Sequence, residues 1–140
     1  MNIMIATKYT YRVLITESHL DTFGHVNNAI YLKLFEEARW DLLTNNHYGL
    51  ERIQSSQMGP TVLEITLKFM KELRLREAIV IESQIRSYEG KIAILSQKML
   101  RDGELCCDAE FVMGFFDMKA RKLILPTPEW LTAIGLCEQA

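Results

Sequence analysis

No apolar run in this chain approaches the ~20 residues that a membrane-crossing helix needs. No segment is low in complexity, internally repeated, or rich in Pro, Gly and Ser in the manner of a linker. The opening residues, MNIMIATKYTYR, have neither a basic cluster nor a long apolar stretch, so no secretory signal is expected. Cysteines number three, an odd count far below that of a disulfide scaffold. Adjacent Cys106 and Cys107 would point to opposite faces of a strand, a poor geometry for a shared metal. They read as buried thiols, and the expected compartment is cytoplasmic. Charge of one sign is scarce too. A formal net charge of -2 and a pI near 5.9 exclude a surface built to coat nucleic acid or an anionic membrane, so an anionic ligand must be met by a local basic patch.

What is present fits one ordinary globular domain over residues 1–140, with 49% hydrophobic and 24% charged residues. A first strand is expected over residues 8–16, followed by a turn-rich segment to residue 28. A helix is expected over 29–46, where Ile30, Leu34, Ala38 and Leu42 recur every four residues beside Tyr31 and Phe35. Residues 51–60 read as a loop. The period then changes to two: over 61–70, Leu63, Ile65, Leu67 and Phe69 share one face and Glu64, Thr66 and Lys68 the other. Strands follow over 78–88, 91–101 and 104–117, with Asp102-Gly103 the strongest hairpin signal. Thr127 and Pro128 suit the N-cap and first turn of a short closing helix. The plan is α+β, one antiparallel sheet wrapped against one long helix.

Residues 21–28, DTFGHVNN, concentrate the chemistry. Asp21 precedes a helix, where a carboxylate acts as base or nucleophile. Gly24 allows a tight turn or a close backbone approach. The first N–H groups of the helix, around Asn27 and Asn28, have no intrahelical partner and suit an oxyanion. On spacing alone an equally ordinary assignment stands: a carboxylate before a helix is often a turn former, and Asn27-Asn28 an equally good capping pair.

The pattern DxxGHVNNxxYxxxFExAR, met by Asp21, Gly24, His25, Val26, Asn27, Asn28, Tyr31, Phe35, Glu36, Ala38 and Arg39, resembles the signature of the 4-hydroxybenzoyl-CoA thioesterase-like branch of the hotdog superfamily. RDGELCCDAEFVMGFFD and the tail Ile124-Leu-Pro126-Thr-Pro-Glu-Trp130 extend the likeness over nearly the whole chain. The resemblance implies a hotdog fold, a five-stranded antiparallel sheet around one long central helix, assembled as a homodimer or homotetramer with sites between subunits. It implies an acyl-CoA or acyl carrier protein thioester as substrate, with no metal or cofactor. Asp21 matches the catalytic carboxylate, either activating water or attacking the carbonyl itself, and the Asn28 backbone N–H matches the oxyanion donor. Gly24, His25, Val26, Asn27, Tyr31 and Glu36 are then expected to border the substrate. Many relatives carry a second Asp two residues before the catalytic one. His19 stands there in this chain, and a change in local hydrogen bonding is expected.

Other residues have plainer readings beside the functional one. His25 titrates in a useful range, yet reads first as a loop-orienting residue. Tyr31 suits core or a subunit contact better than proton abstraction, and Glu36 reads first as a structural carboxylate. Lys68, Lys71, Arg74, Arg76, Arg86 and Arg101 are candidates for a rim that meets CoA phosphates. Met99, Met113, Phe115 and Phe116 read as core before acyl tunnel. Two other functions compete: a non-catalytic hotdog module that binds acyl-CoA or acyl carrier protein, and a hotdog hydratase. The carboxylate in the turn argues against the first, and the absence of a hydratase His motif against the second.

Overall fold

The computed structural model describes residues 4–138; residues 1–3 and 139–140 of the expected domain lie outside the described residues. Strands β1 (Met4–Ala6) and β2 (Tyr9–Leu14) lead through a 3-10 turn, Glu17–His19, to helix α1 (Asn28–Asn45). A short helix α2 (Leu50–Ser56) precedes β3 (Met58–Phe69), β4 (Ala78–Glu89), β5 (Ile92–Arg101) and β6 (Glu104–Asp117). The described chain closes with β7 (Lys122–Ile124), α3 (Pro128–Ala133) and β8 (Leu136–Glu138).

The main sheet is antiparallel in the order β2-β4-β5-β6-β3. Its five long strands wrap α1 as the hotdog resemblance implies, and β7 adds to β6 beyond the end of β5. β1 and β8 form a separate two-stranded ribbon. The α1 stripe buries Tyr31, Leu34, Phe35, Ala38, Leu42 and Leu43 against the sheet. Along β6, Cys107, Ala109, Phe111 and Phe115 are buried at alternate positions, the face that period two assigns. Asp102 and Gly103 take φ of 49° and 78°, the left-handed pair of a two-residue hairpin. Thr127 caps α3 by accepting the Trp130 N–H at 3.2 Å, and Pro128 opens the helix.

The expected loop over residues 51–60 is instead mostly helix and strand. Only Ile53 of α2 is buried, so the segment shows no apolar period to read. Ile53 also explains Gly59, since a Cβ there would stand 2.8 Å from Ile53 Cγ2. Cys106 and Cys107 are both buried, and burial pushes the Cys107 thiol up to about 12. β3 departs from simple alternation at a bulge between Val62 and Glu64. Its expected apolar face is covered only in part by the chain itself: Leu67 packs against the core, while Leu63 is 48% exposed, Ile65 44% and Phe69 54%.

Two polar side chains sit fully in the core, Gln97 and Ser83. Gln97 Nε2 donates to Ser83 Oγ at 2.9 Å and to the Phe35 carbonyl at 3.1 Å. Its Oε1 accepts from Arg39 Nη1 at 2.9 Å. The network ties the middle of α1 to β4 and β5.

Candidate active site

The turn before α1 is closed by backbone. Asp21 N–H donates to the His25 carbonyl at 2.8 Å, Gly24 N–H donates to the Asp21 carbonyl at 3.0 Å, and Leu20 bridges Val26. Gly24 has φ +80°, which an L side chain adopts only with strain. Asp21 Oδ1 accepts the N–H groups of Phe23 at 2.9 Å and His25 at 3.1 Å. The short carboxylate therefore folds back on its own turn, while Oδ2 has no hydrogen-bond partner among the described residues.

At the start of α1, Asn27 Oδ1 accepts the Ala29 N–H at 2.9 Å and the Asn27 carbonyl accepts the Ile30 N–H at 2.9 Å. Asn27 is thus the N-cap. The Asn28 N–H is left without a partner among the described residues, at the positive end of the helix dipole. Asp21 and Asn28 are both exposed, so this carboxylate and this donor stand open to a ligand.

The other expected residues divide in two groups. Val26, Asn28 and Tyr31 line a shallow depression with Phe69, Met70, Lys71 and Glu72. Tyr31 is buried, packs edge-to-face on Phe69 at 5.0 Å and accepts the Leu73 N–H at 3.3 Å. Burial raises its pKa, with the Leu73 N–H opposing, which suits a packing role. His25 Nδ1 pairs with Glu72, so the link between β3 and β4 holds the turn. Glu36 is set apart: it lies two turns along α1, about 12 Å from Asn28 at 1.5 Å per residue, and lines a different cavity. His19 accepts the Thr16 N–H on Nδ1 at 3.0 Å.

Of the basic candidates, only Lys71 borders the depression. Arg76 pairs with Glu17, Arg86 with Glu110, and Arg101 with Glu77 and Glu104. Lys68 lies in a polar cleft beside Lys98 and Asp108. Among the described residues no group of three His, Cys, Asp or Glu side chains converges as a metal site would require.

With this geometry in place, residues 15–134 match the model of the Thioesterase-like superfamily. The chain belongs to that superfamily. Thioesterase-like relatives agree in sequence and in shape. The long-chain acyl-CoA thioesterase FadM of Escherichia coli strain K12 is 33% identical over 76% of this chain and 81% of its own length. The acyl-CoA thioester hydrolase YbgC of Escherichia coli O157:H7 is 24% identical over 86% of this chain and 92% of its own. The crystal structure of the probable thioesterase YbaW from Escherichia coli superposes with TM-score 0.78 at 29% identity, covering 90% of this chain and 96% of that one.

This thioesterase-like chain also holds a second, partly open cavity of about 220 Å³ between α1 and the sheet, near α3. Leu42, Leu43, Val62, Leu95 and Met113 supply apolar walls, and Glu36, Arg39 and Tyr88 are its charged and hydroxyl-bearing members. Of the candidate tunnel residues, Met113 lines it, while Met99 and Phe115 are buried core. Sequence reasoning did not single out Glu72, which lines the depression, or Arg39 and Tyr88, which line the cavity. Glu72 lies 47 positions from His25, and no local spacing marks such a pair.

Proposed function

We propose that this chain, as a single domain, hydrolyses acyl-CoA thioesters at the Asp21 turn. The reading is supported by a carboxylate with one unengaged oxygen and, seven residues on, an N–H at the start of α1 that has no partner among the described residues. A thioester carbonyl accepting from the Asn28 N–H gathers charge there as it becomes tetrahedral, and the helix dipole favours that charge. Asp21 Oδ2 then either takes a proton from the attacking water or attacks the carbonyl to give a mixed anhydride that water opens. In both routes the C–S bond breaks as the thiolate leaves; in the first, the proton held by Asp21 returns to it. The thiolate needs neither a metal nor a dedicated acid. His25, held by Glu72, orients the turn. The name of FadM supports an acyl-CoA substrate with an aliphatic tail, and the cavity along α1 has the apolar lining for one.

A second copy of the chain is assigned to the free edge of β3. A long edge strand with exposed Val62, Leu63, Ile65 and Phe69 is a template for pairing, and antiparallel pairing of β3 with its own copy gives a closed two-fold interface. Replacing Ile65 with Lys is expected to shift the sedimenting species to half its mass. An unchanged mass assigns the interface elsewhere.

The function is tested by thiol release across a panel of acyl-CoA esters, benzoyl and short to long aliphatic. Turnover is expected on the aliphatic members. Silence across the whole panel overturns the reading in favour of a binding module.

A further inference from the structure

We propose that Glu72 is a positioning residue for hydrolysis: acting through His25, it fixes where the Asp21 carboxylate stands relative to the N–H of Asn28. The proposal rests on the thioesterase reading above and adds to it a residue remote from both in sequence.

The Asp21 turn is bound chiefly to itself. Asp21 Oδ1 accepts from the Phe23 and His25 N–H groups, the Asp21 N–H donates to the His25 carbonyl, and the Gly24 N–H to the Asp21 carbonyl. The Leu20–Val26 bridge closes the loop at its base. Those bonds set the shape of the turn but not its place, since all five residues from Asp21 to His25 are exposed. Among the described residues, one side chain of the five bonds to a distant segment: His25 Nδ1 pairs with Glu72.

Glu72 is a fixed point because the link between β3 and β4 is clamped on both sides of it. The N–H groups of Met70 and Lys71 donate to the Cys106 carbonyl at 2.9 and 3.0 Å. Arg101 Nη1 donates to the Glu72 carbonyl at 2.8 Å, and Arg101 is itself held by Glu77 and Glu104. The Leu73 N–H donates to the Tyr31 hydroxyl at 3.3 Å, and both of these residues are buried. Tyr31 stands on α1, about one turn from Asn28. One short link therefore grips α1 through Leu73 and the Asp21 turn through Glu72. It registers the carboxylate against the helix end that carries the oxyanion donor.

The pair also fixes the imidazole. An ionised carboxylate only accepts, so Nδ1 carries the proton in this contact whether the ring is neutral or charged. The side chains of His25 and Glu72 are 61% and 44% exposed, so the contact adds little to global stability. Its effect falls on the place of Asp21, where a displacement of about 1 Å can cost about 10²-fold in rate.

Wild type, Glu72→Ala and Glu72→Gln are compared by thiol release from dodecanoyl-CoA and by amide hydrogen exchange at Phe23 and His25, the two N–H groups that Asp21 Oδ1 accepts. Glu72→Ala is expected to lower kcat about three- to tenfold with KM within about twofold, and to speed exchange at both amides by a similar factor. The unfolding midpoint should not move. Glutamine also accepts from Nδ1–H, so Glu72→Gln should recover most of both effects. In a His25→Ala background, Glu72→Ala should add nothing, because the imidazole is the route. Unchanged exchange in Glu72→Ala, a Gln variant as impaired as the Ala variant, a loss carried by KM, or a full effect of Glu72→Ala without His25 overturns the proposal. Wild type that releases no thiol while exchange follows the expected order overturns the thioesterase reading and leaves Glu72 as the residue that places the turn.

Discussion

Asp21→Asn is expected to fold like the wild type and to lose acyl-CoA turnover by about 10²–10⁴-fold, the usual contribution of a positioned base. The substitution separates chemistry from structure unusually well. Asn Oδ1 can keep both bonds from the Phe23 and His25 N–H groups, so the turn is preserved while the negative charge and the basic oxygen are lost. A neutral amide neither deprotonates water nor attacks the carbonyl. Asp21→Ala would instead remove both acceptors, so its loss of activity could not be assigned to chemistry. The companion variant is Asn28→Pro. Asn28 is the first helical residue after the N-cap, a position where proline is tolerated and its missing N–H leaves no intrahelical bond broken. Asn27 already has the extended backbone, φ -65° and ψ 142°, that a following proline requires. Turnover should fall about 10²–10³-fold, as for removal of one oxyanion donor, with helix content unchanged by circular dichroism. Wild-type kcat in Asp21→Asn would sink the catalytic assignment.

Gln97→Leu carries the largest expected loss of stability, about 2–4 kcal/mol in urea unfolding. Gln97 is 0% exposed and joins three partners: Arg39, Ser83 and the Phe35 carbonyl. Leucine fills much of the same volume, so the loss comes from polar groups left unmet rather than from a cavity. Burial already pulls the Arg39 pKa down, opposed by the charge of Glu36, which marks a guanidinium short of compensation. Adding Arg39→Met should recover part of the loss, because removing a whole buried polar network costs less than breaking it. An unfolding midpoint for Gln97→Leu equal to that of the wild type would show that the network contributes nothing net.

Elements with their own period or turn chemistry were legible in the residues. The apolar stripe of α1, the alternation along β6, the Asp102-Gly103 hairpin and the Thr127 cap all lie where local rules put them. α2 was not legible because a single buried residue, Ile53, anchors it. The β1–β8 ribbon escaped for another reason: it joins opposite ends of the described chain, and strands of three residues carry no pattern that names a partner. On β3 the alternation holds from Glu64 onward but is broken at Leu63 by the bulge, and its consequence was not legible either. A period of two tells which residues share a face, not whether this chain covers that face.

The Asp21 turn divides along the same line. Sequence by itself determined the carboxylate, the glycine at positive φ and the asparagine cap, because all lie within one turn and follow from local backbone chemistry. Tertiary structure alone decided the rest. It brought Glu72 to His25 across 47 positions and set Glu36 two turns away beside a separate cavity. Those outcomes depend on how the sheet closes over α1, and packing between distant segments leaves no local spacing to read.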